Sequence, residues 1–177
     1  TPSSFFLDCD STVKTLYGHH EGAMKGFNPA HPGKKSYHPL IITEAHFSDC
    51  LAGVLRPGNV HTASGIRDLL QGVLSFLPPH RRLRLRADAG FYEGKFVRLL
   101  QENNMEFAIV AHFTAPLKAK LESLRYARVS SVFSVSEFRY QPHGWKQKER
   151  FVVLRRKIPP KEKQTQMTLF TLDRYAY

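Results

Sequence analysis

The stretch Ser4-Phe-Phe-Leu-Asp-Cys-Asp10 decides how this chain is interpreted. Its apolar and polar residues alternate with the period of two that indicates a β-strand with two different faces. Because residues two apart in a strand point to the same face, Asp8 and Asp10 are predicted to project from one side. The strand therefore ends on a carboxylate.

A second predicted strand ends in the same way. Arg82-Leu-Arg-Leu-Arg-Ala87 alternates leucine with arginine, and Asp88 follows it directly. In open α/β sheets the carboxyl ends of the strands hold the working residues. If the two strands are neighbours, Asp10 and Asp88 converge at one edge of the sheet.

Two converging carboxylates are hard oxygen ligands, and they suit Mg²⁺ or Mn²⁺ better than zinc. A pair of such ions activates a water or a 3′-hydroxyl and stabilises the leaving oxygen in phosphodiester transfer. A bound cation would also offset the repulsion between the carboxylates. The alternative is that both aspartates only cap turns, and short motifs alone favour that alternative.

The remaining pattern predicts a mixed α/β layout in the order β-β-β-α-β-α-β. A turn-rich loop at Tyr17–Tyr37 separates the first strand from the second. The other predicted elements are strands at His38–His46, Cys50–Leu55 and Met105–Phe113, a helix capped by Thr62 or Ser64 and ended by Pro78-Pro79, and a helix at Glu93–Asn104.

The character of the sequence changes after Thr114. The pattern predicts a basic helix at Ala115–Leu124 and then a β-meander. Its strands are expected at Val129–Tyr140, Arg150–Lys157 and Met167–Tyr177, with a polar turn at Pro159–Gln166. We therefore divide the chain into a core, residues 1–113, and a β-rich basic part, residues 114–177.

Charge points towards a polyanionic partner. The net charge is +11, and residues 114–177 carry 14 Lys and Arg against 5 Asp and Glu. Such an excess attracts nucleic acid, although a merely solvated basic face is an equal alternative.

The two cysteines form no CxxC pair, which excludes a Cys-rich zinc module and fits a reducing cytoplasm. No apolar run is long enough to cross a membrane.

Several basic or aromatic side chains are candidates for DNA contact, each with a solvated or packing alternative. Arg82, Arg84 and Arg86 share one face of the predicted fourth strand. Trp145 lies among lysines, where it would either stack on an unpaired base or pack under the meander. The candidates are Lys34, Lys35, Arg82, Arg84, Arg86, Trp145, Lys146, Lys148, Arg155 and Arg156.

Five ordered blocks carry a family resemblance across residues 5–113, with a weaker one beyond. They are Leu7-Asp-Cys-Asp-Ser-Thr12, Tyr17-Gly-His-His-Glu-Gly-Ala-Met-Lys-Gly-Phe-Asn-Pro29, Pro32-Gly-Lys-Lys-Ser-Tyr-His-Pro-Leu40, Leu55-Arg-Pro-Gly-Asn59 and Arg86-Ala-Asp-Ala-Gly-Phe-Tyr92. Together they resemble a DDE-domain insertion-sequence transposase of group 1 type, with a β-rich insertion.

The resemblance implies an RNase H-like fold, two divalent metal ions, cleavage at transposon ends and strand transfer into target DNA. Asp10 and Asp88 fit the family's first two catalytic acids, and Asp8 and Thr12 are possible supporting residues. It also implies a bacterial, cytoplasmic protein at the nucleoid that acts on DNA as a homodimer.

The sequence departs from the family pattern at the third acid. That acid is a glutamate in a Tyr-x2-Arg-x3-Glu-x6-Lys pattern, which is not found in these 177 residues. We expect it downstream of Tyr177, so that this stretch alone would be catalytically incomplete. Two alternatives stay open: an inactive transposase fragment that only binds DNA, and a related nuclease without strand transfer.

Overall fold

The protein is described from a computed structural model, which covers residues 4–78 and 81–157 and the backbone of residues 173–176. The chain forms two compact units, Thr1–Phe107 and Ala108–Tyr177. The structure is mixed α/β, as the sequence predicted. The functional division at residue 113 stays a prediction.

The first unit contains most of the predicted elements. It is built from β1 (Ser4–Ser11), β2 (Lys14–Thr15), β3 (Met24–Lys25), β4 (Lys35–Tyr37), β5 (Leu40–Glu44), β6 (Asp49–Val54), α1 (Ile66–Phe76), β7 (Arg82–Ala87), a 3₁₀ turn at Ala89–Phe91, α2 (Gly94–Glu102) and the start of β8 (Glu106–Ile109). No helix in the described part of the chain is long and apolar enough to span a bilayer.

The main sheet of this unit has the strand order β6-β5-β1-β7-β8. Three of its strands form an antiparallel meander, with β1 paired to β5 and β5 to β6. On its other side β1 pairs in parallel with β7, from Ser4 opposite Arg82 to Cys9 opposite Ala87. The sheet is therefore mixed, and β1 lies at its centre.

Alternating burial along the strands creates the core of the first unit. One face of β1 is buried through Leu7 and Cys9, and the two helices contribute apolar side chains at helical spacing. Full burial of one such side chain stabilises the fold by about 1.5–3 kcal/mol. The fully or almost fully buried set includes Leu40, Ile42, Ile66, Leu70, Val73, Leu85, Phe91, Phe96 and Leu100.

The structure corrects three predictions for the first unit. Gly65, in a left-handed conformation, precedes α1 without a side-chain cap, so neither Thr62 nor Ser64 is the N-cap. The strand expected at Met105–Phe113 is only four residues long. The loop at Tyr17–Tyr37 contains β3 and β4, because β4 pairs with β3 and with the preceding β2 to form a second sheet in the order β2-β4-β3.

The second unit consists of a helix and a meander. Its elements are α3 (Ala115–Glu122), β9 (Ala127–Arg128), β10 (Phe133–Tyr140), β11 (Glu149–Arg156) and β12 (Asp173–Ala176), with the order β12-β11-β10-β9 in the sheet. The predicted strand at Val129–Tyr140 begins later than expected. The expected turn at Pro159–Gln166, together with Pro79, residues 167–172 and Tyr177, lies outside the described residues.

Buried Glu44 closes the turn between β5 and β6. Its carboxylate accepts hydrogen bonds from the backbone amides of Phe6, His46 and Phe47 and from the His46 ring. Burial alone would raise the pKa of Glu44, but these hydrogen bonds hold that pKa below its ordinary value. The turn is therefore tied to β1 by one charged side chain.

We expect Glu44→Gln to lower the free energy of unfolding by about 1–3 kcal/mol, because an amide cannot accept all four hydrogen bonds. Since the folded pKa is lowered, the contribution is complete above the ordinary value of 4.5 and is lost as the pH falls through the folded pKa. Urea unfolding across this acidic range measures both effects. Exposed Glu122→Gln is the control, and equal pH profiles for the two variants would contradict the assignment.

Candidate functional site

The two predicted site aspartates come directly after the last paired residues of two neighbouring strands. The parallel register of β1 and β7 ends with Cys9 opposite Ala87, and the next residues along the two chains are Asp10 and Asp88. Neighbouring strands are about 4.8 Å apart, so the register puts both residues at one edge of the sheet. Both are exposed. The structure thus brings together the pair that the sequence singled out.

Local hydrogen bonds orient each carboxylate. The backbone amide of Ser11 donates to Asp10 Oδ1 over 2.7 Å, and the Thr12 hydroxyl donates to Oδ2 over 3.2 Å. Asp88 begins the 3₁₀ turn, and its Oδ1 accepts the Gly90 amide over 2.8 Å. Each carboxylate keeps lone pairs that these bonds do not use.

Asp8 has a different environment. It lies directly opposite Arg86 in the register, and the guanidinium binds it through two hydrogen bonds of 2.7 and 2.6 Å. This bidentate pair compensates the negative charge of Asp8, which lies two residues before Asp10 on β1. On the other face of β1, burial and nearby Asp8 raise the pKa of the Cys9 thiol to about 12. Cys9 is therefore a protonated core residue.

The edge of the sheet fits a hard cation, and among the described residues it supplies two carboxylates, those of Asp10 and Asp88. Among residues 4–78 and 81–157, no group of three or more His, Cys, Asp or Glu side chains is arranged to hold a metal ion. Within the same residues no Lys, Arg or His forms a salt bridge with Asp10 or Asp88. Two adjacent carboxylates without a protein cation are the donor chemistry that Mg²⁺ or Mn²⁺ prefers.

Arg56 is a buried cation behind the site that sequence reasoning did not assign. Its Nε donates to the His38 carbonyl over 2.8 Å, and its Nη1 donates to the carbonyls of Thr62, over 2.9 Å, and Ser64. Its Nη2 donates to Ser11 Oγ over 2.7 Å. Burial lowers the pKa of the guanidinium. The only signal in the sequence was its position in Leu55-Arg-Pro-Gly-Asn59.

These hydrogen bonds connect Arg56 to both aspartates. Ser11, held by the guanidinium, donates its own amide to Asp10. Thr62, held through its carbonyl, packs so closely on Gly90 that a Cβ there would lie 2.5 Å from the Thr62 methyl carbon. Gly90 in turn donates to Asp88. Arg56 thus braces both sides of the carboxylate pair.

Arg86 binds Asp8, and among the described residues no other candidate for DNA contact forms an ion pair with Asp10 or Asp88. Arg82 and Arg84 both form ion pairs with Glu106, which compensates part of their charge. Lys34, just before β4, and Lys35, its first residue, are both exposed. In the second unit Trp145 is half-buried in the turn between β10 and β11, and Arg155 lies over the Tyr126 ring; Lys146, Lys148 and Arg156 are exposed. Their role in DNA contact stays a prediction.

We expect Arg56→Met to lower the free energy of unfolding by about 3 kcal/mol, because several buried carbonyls lose their donor at once. Chemical denaturation of the purified variant measures this loss. Arg67→Met, at an exposed position on α1, is the matched control and should change stability by less than about 0.5 kcal/mol. Equal losses for both variants would show that the guanidinium does not brace the site.

Comparison with known proteins identifies the family. The family profile described as transposase DDE domain group 1 matches residues 1–176. No curated protein sequence matches significantly. The cryo-EM structure of a piggyBac transposase synaptic complex with hairpin DNA superposes with a TM-score of 0.55 at 11% identity, over 97% of this chain and 32% of that one. This chain therefore spans about a third of the length of the piggyBac chain. The profile match over almost every residue shows that the chain belongs to the transposase DDE domain group 1 family.

Proposed function

We propose that the chain is the DNA-processing core of a cut-and-paste DDE transposase, which cleaves DNA at transposon ends and transfers the strand into target DNA. The observation that carries the proposal is the position of Asp10 and Asp88 at the ends of adjacent parallel strands. In a member of this family, two such acids are the expected start of the catalytic set.

An RNase H-like topology is part of the proposal. Its support is the antiparallel meander β1-β5-β6, which continues through parallel β7 to β8, with α1 and α2 between the later strands. The superposition on a piggyBac transposase supports the same kind of fold. The small sheet of β2–β4 is then an excursion inserted between the first two strands of the core.

Asp10 and Asp88 would hold two Mg²⁺ or Mn²⁺ ions. When bound, such ions supply an activated water or 3′-hydroxyl and stabilise the leaving oxygen. The chain's own contribution is orientation: Ser11 and Thr12 hold the Asp10 carboxylate, Gly90 holds that of Asp88, and the hydrogen bonds leave oxygen lone pairs for the cations. The Asp8–Arg86 pair supports the neighbouring strand positions and needs no catalytic role.

DNA is the proposed partner. The piggyBac structure contains hairpin DNA, and residues 114–177 of this chain carry a strong positive excess. Fixed positive charge attracts the phosphate backbone by releasing its counterions. We propose that the protein acts as a homodimer on paired DNA ends. As a bacterial protein that acts on chromosomal DNA, it would be located in the cytoplasm, at the nucleoid.

A third acid would complete the catalytic set. The family's Tyr-x2-Arg-x3-Glu pattern is not present in these 177 residues, so we expect that glutamate outside them. If no such residue is encoded, the alternative applies that the protein binds DNA without cutting it. Cleavage without strand transfer would instead indicate a related nuclease.

The proposal predicts that Asp10→Asn and Asp88→Asn each reduce Mn²⁺-dependent cleavage of a transposon-end duplex by about a thousandfold or more, because each removes a metal-ligand charge worth several kcal/mol in the transition state. The assay uses the natural gene product, read from its own start codon to its own stop codon. Circular dichroism melting establishes that both variants are folded.

Asp68→Asn is the matched control. It makes the same chemical change at an exposed position on α1, and cleavage should stay within about twofold of wild type. Full activity of folded Asp88→Asn would refute the catalytic assignment. Wild-type protein that binds DNA and does not cut it would favour the DNA-binding alternative.

A further inference from the structure

The excursion between β1 and β5 presents aromatic and basic side chains at one end. β2 and β3 both pair antiparallel with β4, so they run in the same direction on either side of it. Tyr17 follows β2, Phe27 follows β3, and Lys34 comes just before β4. Their positions therefore meet at the same end of the small sheet. We call Tyr17, Phe27, His31, Lys34 and Lys35 the aromatic–basic tip.

Contacts within the tip agree with this topology. The His31 ring meets the Tyr17 ring edge to face, with centroids 6.3 Å apart, and Lys34 Nζ lies 6.0 Å from the Tyr17 centroid. Even so, Tyr17 is 69% exposed and Phe27 84% exposed. Residues 12–38 carry four lysines against one glutamate. The tip therefore has solvent-exposed aromatic rings surrounded by a net positive charge.

The tip is held in place before any ligand binds. Buried Asn28 accepts the His31 amide over 3.1 Å and donates to Thr15 Oγ1 over 2.8 Å. Gly26 lies so close to the Gly58 backbone that a Cβ at Gly26 would collide with the Gly58 carbonyl. Because Gly58 belongs to the loop that begins with Arg56, the excursion is fixed to the same scaffold that braces the aspartates.

We infer that the aromatic–basic tip binds DNA next to the cleavage site and stacks on an unpaired base. Aromatic faces beside lysines are the recurring surface for unpaired nucleotides, since every base presents a π face and every linkage a negative charge. Lys14, the first residue of β2, is only four positions beyond Asp10, so the excursion starts at the edge of the sheet that holds Asp10 and Asp88. The inference rests on the proposed function and adds to it a site for unpaired bases.

The test measures binding of two fluorescent DNAs by anisotropy, in EDTA so that no metal chemistry contributes. One DNA is a blunt duplex, and the other is the same duplex with a single-stranded thymine overhang. We expect wild type to prefer the overhang. The double variant Tyr17→Ala/Phe27→Ala should lose about tenfold in affinity for the overhang DNA and keep its affinity for the blunt duplex.

Lysine variants test the charge contribution separately. Lys34→Gln/Lys35→Gln should weaken binding of both DNAs and reduce the slope of log affinity against log salt by about two. Phe76→Ala, at an exposed aromatic on α1, is the matched control and should bind both DNAs like wild type. Melting curves check that every variant is folded.

The inference is overturned if Tyr17→Ala/Phe27→Ala keeps the wild-type preference for the overhang. It is also overturned if that variant changes only the oligomeric state on gel filtration, which would assign the tip to a protein contact. The outcome is independent of the cleavage test on Asp10→Asn and Asp88→Asn, because binding is measured in EDTA, where no metal-dependent cleavage takes place. Loss of overhang binding in the tip variant would stand even if those aspartates proved dispensable for cleavage.

Discussion

The parallel pairing of β1 with β7 is the constraint on which the rest of this structure depends. A parallel pair must bring the carboxyl ends of its two strands to the same edge, whereas an antiparallel pair would send them to opposite edges. The register that matches Cys9 with Ala87 therefore makes Asp10 and Asp88 neighbours. Like charges at one edge repel each other, and under the proposed function a hard cation shared between the two carboxylates would offset that repulsion.

A second constraint preserves the orientation of the pair. Arg56 is buried with no carboxylate contact among the described residues, and its charge is met by backbone carbonyls and the Ser11 hydroxyl. A guanidinium suits this position because its planar group directs several N–H donors outwards at fixed angles. It joins loops that are distant in sequence, so that the amides of Ser11 and Gly90 meet the two carboxylates in fixed positions.

Much of the first unit could be predicted from the sequence, because its signals are local. Alternation defined β1 and β7, and the aspartates at their carboxyl ends marked the candidate site. The predictions that failed concern features that depend on contacts between residues distant in sequence. The backbone carbonyls of Thr62 and Ser64 accept hydrogen bonds from Arg56. The residue at the N-cap of α1 is Gly65, and neither Thr62 nor Ser64 caps the helix. The sheet of β2–β4 was missed because pieces of two or three residues give no periodic pattern.

The most direct test of the central claim is anomalous scattering from crystals of the protein grown with Mn²⁺. We expect a manganese peak with carboxylate oxygens of both Asp10 and Asp88 about 2 Å away. Asp8, occupied by Arg86, should not be a ligand. Coordinates in which the carboxylates of residues 10 and 88 face apart, or in which manganese binds elsewhere and leaves that edge empty, would contradict it.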